Sequence, residues 1–157
     1  MATLSRDLVC VLLLLLGPLC HAQVVTVRVI NAANGHPLPK QQVSVNLFYE
    51  KGVKTPAKYD ANLTLATDVN GEAHFALPEP APLHLFVQIR LTSEHWHCGC
   101  LALAATGDVI QKGIVDPLPE GESKKAAASL KAIPGEILFV ARPLSFFELL
   151  LYPFLKG

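Results

Sequence analysis

The sequence predicts an all-β fold, an antiparallel Greek-key sandwich of about seven strands with a short C-terminal helix. Three observations predict it. Apolar residues recur at every second position through successive short runs, which is the period of a half-buried strand. Turn residues separate these runs at intervals of about ten residues, and no strand-period run alternates with a helix-period run, which argues against a parallel sheet built of βαβ units. The chain of 157 residues carries 12 prolines, a composition suited to short segments and many turns.

Val25, Val27 and Val29 share one face of the first run while Thr26 and Arg28 share the other. Asn34-Gly35-His36-Pro37 ends it. Val43, Val45, Leu47 and Tyr49 alternate with Ser44, Asn46 and Glu50 in the second run, and a polar loop to Ala61 follows. Leu63, Leu65 and Thr67 lead to Asp68-Val69-Asn70-Gly71, and Ala73, Phe75 and Leu77 leave it. An Asn-Gly pair between two alternating runs predicts a tight hairpin, because such turns require positive φ. Pro78, Pro80 and Pro82 close that segment. Leu83 to Leu91 is the longest run, with His84, Gln88 and Arg90 outward. Trp96 to Ala105 reads as a further strand-like segment, Thr106-Gly107-Asp108 as a turn and Val109 to Val115 as a short strand. Residues 117–135, rich in Pro, Gly, Glu, Lys and Ala, read as a surface excursion, and Ile137 to Arg142 as a final buried strand. Ser145 with Glu148 forms a capping box ahead of an apolar helix over 145–155.

The first 22 residues have the form of a secretory signal peptide: Arg6, an apolar run from Leu8 to Leu16, a Gly17-Pro18 break and Cys20-His21-Ala22. Cleavage between Ala22 and Gln23 leaves one domain over 23–157, large enough for a core and too small for two domains. The expected location is therefore secreted or periplasmic. The 13 basic and 13 acidic residues balance, so no global field draws the chain onto nucleic acid. Cys10 and Cys20 depart with the leader. Cys98 and Cys100 remain, in an oxidising compartment.

Two stretches, VRVINAANGHPLPKQQVSV over 27–45 and TDVNGEAHFALP over 67–78, resemble the carboxypeptidase regulatory-like domain, a transthyretin-like or prealbumin-like β-sandwich. The resemblance extends from Val25 to Leu91. It implies a non-catalytic module, often secreted, with accessory, carbohydrate-binding-like or interaction roles, and a protein or carbohydrate partner. Beyond Leu91 the sequence departs from that pattern.

The densest group of ligand-capable atoms is His95-Trp96-His97-Cys98-Gly99-Cys100. If the stretch is extended, His95 and His97 share one face, and Trp96, Cys98 and Cys100 the other. Three readings follow: a structural Cys98–Cys100 disulfide or two buried thiols; copper or zinc bound through the thiols or through His95 and His97; and a redox role. Gly99 permits the bend that a disulfide across two residues needs. His74 and His84 are expected on outward, solvated faces. The tail from Leu144 to Leu155 carries one charged side chain, Glu148. A helix apolar all round requires a cover, supplied by the domain, a second copy or a membrane interface. No hydrolase elbow, zinc-protease, phosphate-loop or dinucleotide motif occurs, and the expectation is a protein without enzymatic activity.

Overall fold

The computed structural model describes residues 23–49, 61–93, 96–98, 100–116 and 130–145. The alternating runs form two sheets facing each other. The first has the order β4 (Glu72–Ala76), β1 (Val24–Asn31), β9 (Glu136–Pro143) and β6 (Trp96–Cys98), with the two-residue β8 (Ile114–Val115) also on β9. The second has the order β3 (Ala61–Ala66), β2 (Gln42–Phe48), β5 (His84–Arg90) and β7 (Leu101–Ala105). One short helix, α1 (Thr106–Lys112), completes the described elements. The chain is a two-sheet, all-β sandwich.

Period-two patterning decides which side chains meet. Val25, Val27 and Val29 of β1 face Val43, Val45 and Leu47 of β2 and Leu85, Val87 and Ile89 of β5 within one buried cluster. Register aligns the rows: Val43 lies opposite Ile89, Val45 opposite Val87 and Leu47 opposite Leu85. Burial of each such side chain contributes about 1.5–3 kcal/mol relative to its exposed state.

Strand β9 breaks the alternation. Glu136 to Ala141 are all buried, because Ile137 and Phe139 enter the main core while Leu138 and Val140 pack with Ile30, Ala32, Val115, Leu130 and Ala132 on the other face. A strand covered on both faces reads as a continuous apolar run. Glu136 heads it, and its Oε1 lies 2.6 Å from Arg28 Nε as an ion pair while its Oε2 accepts the Ile133 amide at 2.9 Å.

Several sequence expectations need correction. The sandwich is not wholly antiparallel: β9 runs parallel to β1 and to β8. Among the described residues there are nine strands, because β6 and β8 are fragments that share an edge of β9. Asp68 to Gly71 is a turn but not a hairpin. The strand before it pairs with β2 and the strand after it with β1, so the turn carries the chain from one sheet to the other. Asp68 Oδ1 accepts the amides of Asn70 at 2.8 Å and Glu72 at 2.9 Å. These bonds, led by that from Glu72, hold its carboxyl below the usual range.

The turn and strand expected over 106–115 are instead α1 followed by β8. Thr106 and Val109, three apart, are both buried, and Asp108 and Lys112 pair at 3.1 Å across one turn. Gly113, at φ +71°, ends the helix by donating its amide to Val109. A Cβ there would collide with the Ile133 carbonyl. The leader at 1–22 and residues 117–129 of the excursion lie outside the described residues, as does the apolar tail after Ser145. Among the described residues, no helix is long and apolar enough to cross a membrane.

Gly71 and Gly35 have nearly the same positive φ, +72° and +71°, but different surroundings. A Cβ at Gly71 would lie 2.6 Å from the Val29 carbonyl oxygen, whereas at Gly35 nothing stands within 4 Å. Gly35→Ala is expected to cost about 1 kcal/mol through backbone strain alone. Gly71→Ala, with the collision added, should cost about 2–3 kcal/mol or more. Denaturant unfolding of both variants checks the difference, and equal midpoints would contradict the close approach of this turn to β1.

Candidate functional site

The cysteine segment lies where two strand fragments converge on one edge of β9. From the C-terminal end of β9, β6 pairs Trp96 with Pro143, His97 with Arg142 and Cys98 with Ala141. From the other end, β8 pairs Ile114 with Ile137 and Val115 with Leu138, and the Asp116 amide donates to the Leu138 carbonyl at 2.8 Å. Among the described residues neither fragment pairs with Phe139 or Val140, and this interval forms a gap between the two. Cys98, Cys100 and Asp116 border this gap.

At Cys98 the chain leaves the first sheet, and from Leu101 it belongs to the second. The crossing is short because Cys100 takes the left-handed conformation, φ +60°, which a residue with a Cβ adopts at a cost of about 1–2 kcal/mol. The carbonyl of Cys100 accepts the Ile89 amide at 2.9 Å, anchoring the bend to β5. Its sulfur and that of Cys98 lie at disulfide distance, with Cα atoms 5.0 Å apart. Both cysteines are half-buried. The strand runs to Cys98, and the bend that a disulfide across two residues needs is made where Cys100 turns left-handed.

A bond between them would close a loop of about three residues, restricting the unfolded chain by about 1.6 kcal/mol in the entropic model, against about 3 kcal/mol for a 15-residue loop. As a staple it is weak.

Asp116 was not foreseen as a site residue. It is 2% exposed. One carboxyl oxygen accepts the Cys100 amide, and Oδ2 has no hydrogen-bond partner among the described residues. Burial pushes this carboxyl up to about 6, against the opposing pull of the Cys100 amide. The sequence places an acid between Val115 and Pro117 but gives no sign that the chain buries it beside a cysteine.

His95 lies outside the described residues, and for His97 the backbone pairing with Arg142 is described. The pair expected for copper or zinc thus lies partly outside the described residues. Among the described residues no group of three or more His, Cys, Asp or Glu is placed to hold a metal. His74 is exposed as expected, bonded to Thr26 Oγ1 at 3.0 Å and 3.4 Å from Glu72. His84 is half-buried, and its Nδ1 is buried without a partner among the described residues, which corrects its expected solvation.

A second feature occupies the outer face of the second sheet. Gln42 lies opposite Arg90 and Ser44 opposite Gln88, and these four side chains line a cleft of about 120 Å³. Next to it, Phe86 lies opposite Leu103, and Gln88 opposite Leu101. Leu101 and Leu103 are 51% and 46% exposed. The face is thus polar over β2 and β5 and apolar towards β7. Strand period alone places Ser44, Gln88 and Arg90 outward, but the β2–β5 pairing that assembles them is a tertiary fact.

The Asp116 carboxyl gives a pH signature. Its folded-state value lies above its ordinary one, so the folded chain holds a proton that the unfolded chain has released. Its contribution to stability is complete below about pH 4 and is lost as pH rises through about 6. Asp116→Asn should flatten this part of the profile, leaving the opposite, acid-side loss from Asp68. Urea unfolding between pH 4 and 7 checks this, and superimposable slopes for the two proteins would contradict it.

No protein-family model matches the chain, and no curated protein matches it. Among solved structures it is similar to the crystal structure of 3-chlorocatechol 1,2-dioxygenase from Rhodococcus opacus 1CP, with 11% sequence identity and a TM-score of 0.40, covering 77% of this chain. The chain spans 59% of the length of that dioxygenase, and so distant a likeness bears on neither activity nor cofactor.

Proposed function

We propose that the chain is an exported, non-catalytic binding module of the carboxypeptidase regulatory-like type whose ligand is a carbohydrate. The observation that carries this reading is the outer face of the second sheet, where the Gln42, Ser44, Gln88 and Arg90 cleft adjoins Phe86, Leu101 and Leu103. A sugar ring presents hydroxyls around its perimeter and C–H groups on its faces. Amides and a hydroxyl both donate and accept, and a guanidinium donates in a fixed fork. An aromatic ring and two leucines offer apolar area beside them. Three adjacent strands span about 10 Å, the scale of one or two sugar rings. The leader-like sequence over 1–22 supports export to a place where such a ligand occurs.

The test is affinity electrophoresis of the purified chain through gels containing neutral or acidic soluble polysaccharides. Retardation in at least one gel is expected. Arg90→Ala should weaken it about tenfold or more, the scale of a hydrogen bond to a charged group at about 1.5–3 kcal/mol. Gln88→Ala should weaken it less. Migration unaffected by every polysaccharide, or by both substitutions, would overturn the reading.

A further inference from the structure

The geometry points to a second activity, separate from the binding face: Cys98 and Cys100 form a redox-active disulfide that accepts two electrons from a dithiol, with Asp116 delivering a proton to the departing sulfur. The two sulfurs lie at disulfide distance, and neither residue is fully buried. The cross-link closes a loop of about three residues and adds little as a staple. It also contains Cys100, whose backbone is left-handed. Strained and exposed disulfides are the labile ones, whereas structural disulfides resist the glutathione pool.

Asp116 supplies the independent observation. It is an acid 2% exposed, held by the Cys100 amide through one oxygen, with the other oxygen unpartnered among the described residues. A buried, half-satisfied carboxyl costs stability. Beside a disulfide it has a use. Reduction of a sulfur–sulfur bond creates a thiolate, which is a poor leaving group in a partly dry site until it is neutralised. A carboxyl poised near neutrality is suited to that transfer.

The step balances as follows. One thiolate of the partner dithiol attacks Cys98 Sγ. The Cys98–Cys100 bond breaks, its electron pair leaves on Cys100 Sγ, and the Asp116 proton converts that thiolate to a thiol. The partner's second thiolate attacks the partner sulfur of the mixed disulfide and expels Cys98 as a thiolate, which takes a proton from water. Asp116 is reprotonated from water, matching the two protons that the partner released. The partner is oxidised to a disulfide, and Cys98 and Cys100 are reduced to two thiols.

Two measurements on the full chain test this. In the first, the oxidised wild-type chain is equilibrated with millimolar reduced glutathione, and free thiols are counted by alkylation and intact mass. Reduction of the pair is expected, and a pair that stays oxidised overturns the proposal whatever the variants do. In the second, the rate of reduction by dithiothreitol is followed from pH 5 to 8 and divided by the thiolate concentration. The normalised rate of the wild type should fall as pH rises through about 6, where Asp116 loses its proton. Asp116→Asn should be at least tenfold slower at pH 5 with a flat profile, and Asp116→Glu should recover part of the rate and the inflection. Coincident profiles for wild type and Asp116→Asn would overturn the role of Asp116. Polysaccharide retardation is read separately with the Cys98→Ser, Cys100→Ser double variant, so either reading can fail alone.

Discussion

The rest of the structure depends on β9 being apolar on both faces while its two edges are used differently. One edge is fully paired along β1, from Thr26 opposite Glu136 to Asn31 opposite Ala141. The other is shared by β8 and β6. Among the described residues, neither β8 nor β6 pairs with the backbone groups of Phe139 and Val140. Whatever segments meet there are brought close by the ladder. That is how residues as distant in sequence as Cys98 and Asp116 come to border one gap.

Of the buried polar residues described, Thr106 and Asp116 each carry an oxygen without a hydrogen-bond partner, whereas Gln41, Thr67 and Glu136 are matched. Thr67 donates to the Leu38 carbonyl and accepts the Gln41 amide, both at 2.9 Å. Gln41 donates to Pro39 at 2.6 Å and accepts the Thr92 amide at 2.9 Å. Glu136 has a guanidinium and an amide. These groups hold the loops and the β1–β9 pair in place, and each is matched, as stable interiors require. Asp116 has an amide and no cation among the described residues. Two buried carboxylates on one strand's borders thus differ in kind: one completes the architecture and the other is left with spare capacity.

Much of this was legible in the sequence and some could not be. Alternation placed Val25, Val27, Val29, Val43, Val45, Leu85 and Val87 in the core, because burial on one face is a local property of a strand. It also placed Ser44, Gln88 and Arg90 outward. Partner choice is not local. Asn70-Gly71 has hairpin chemistry, yet Leu65 and Ala73 belong to opposite sheets, since the same turn serves a crossing as well as a hairpin. Val109 and Ile110 have strand propensity, but Thr106 and Val109 bury one helical face and Gly113 stops the turn. Cys98 and Cys100 were legible as a pair. Asp116 was not, because its significance comes from the edge of β9.

The parallel pairing of β1 with β9 has a consequence for the order in which the chain becomes ordered. Thr26 and Glu136 are about 110 residues apart, so one flank of β1 has no partner until nearly everything between them has been synthesised. Pairing at such separation is slow to close, and that edge of β1 stays open in the meantime. An early-emerging strand that can be satisfied only by a late one keeps the chain from locking prematurely. In this chain β9 sets the moment at which that edge of β1 is sealed.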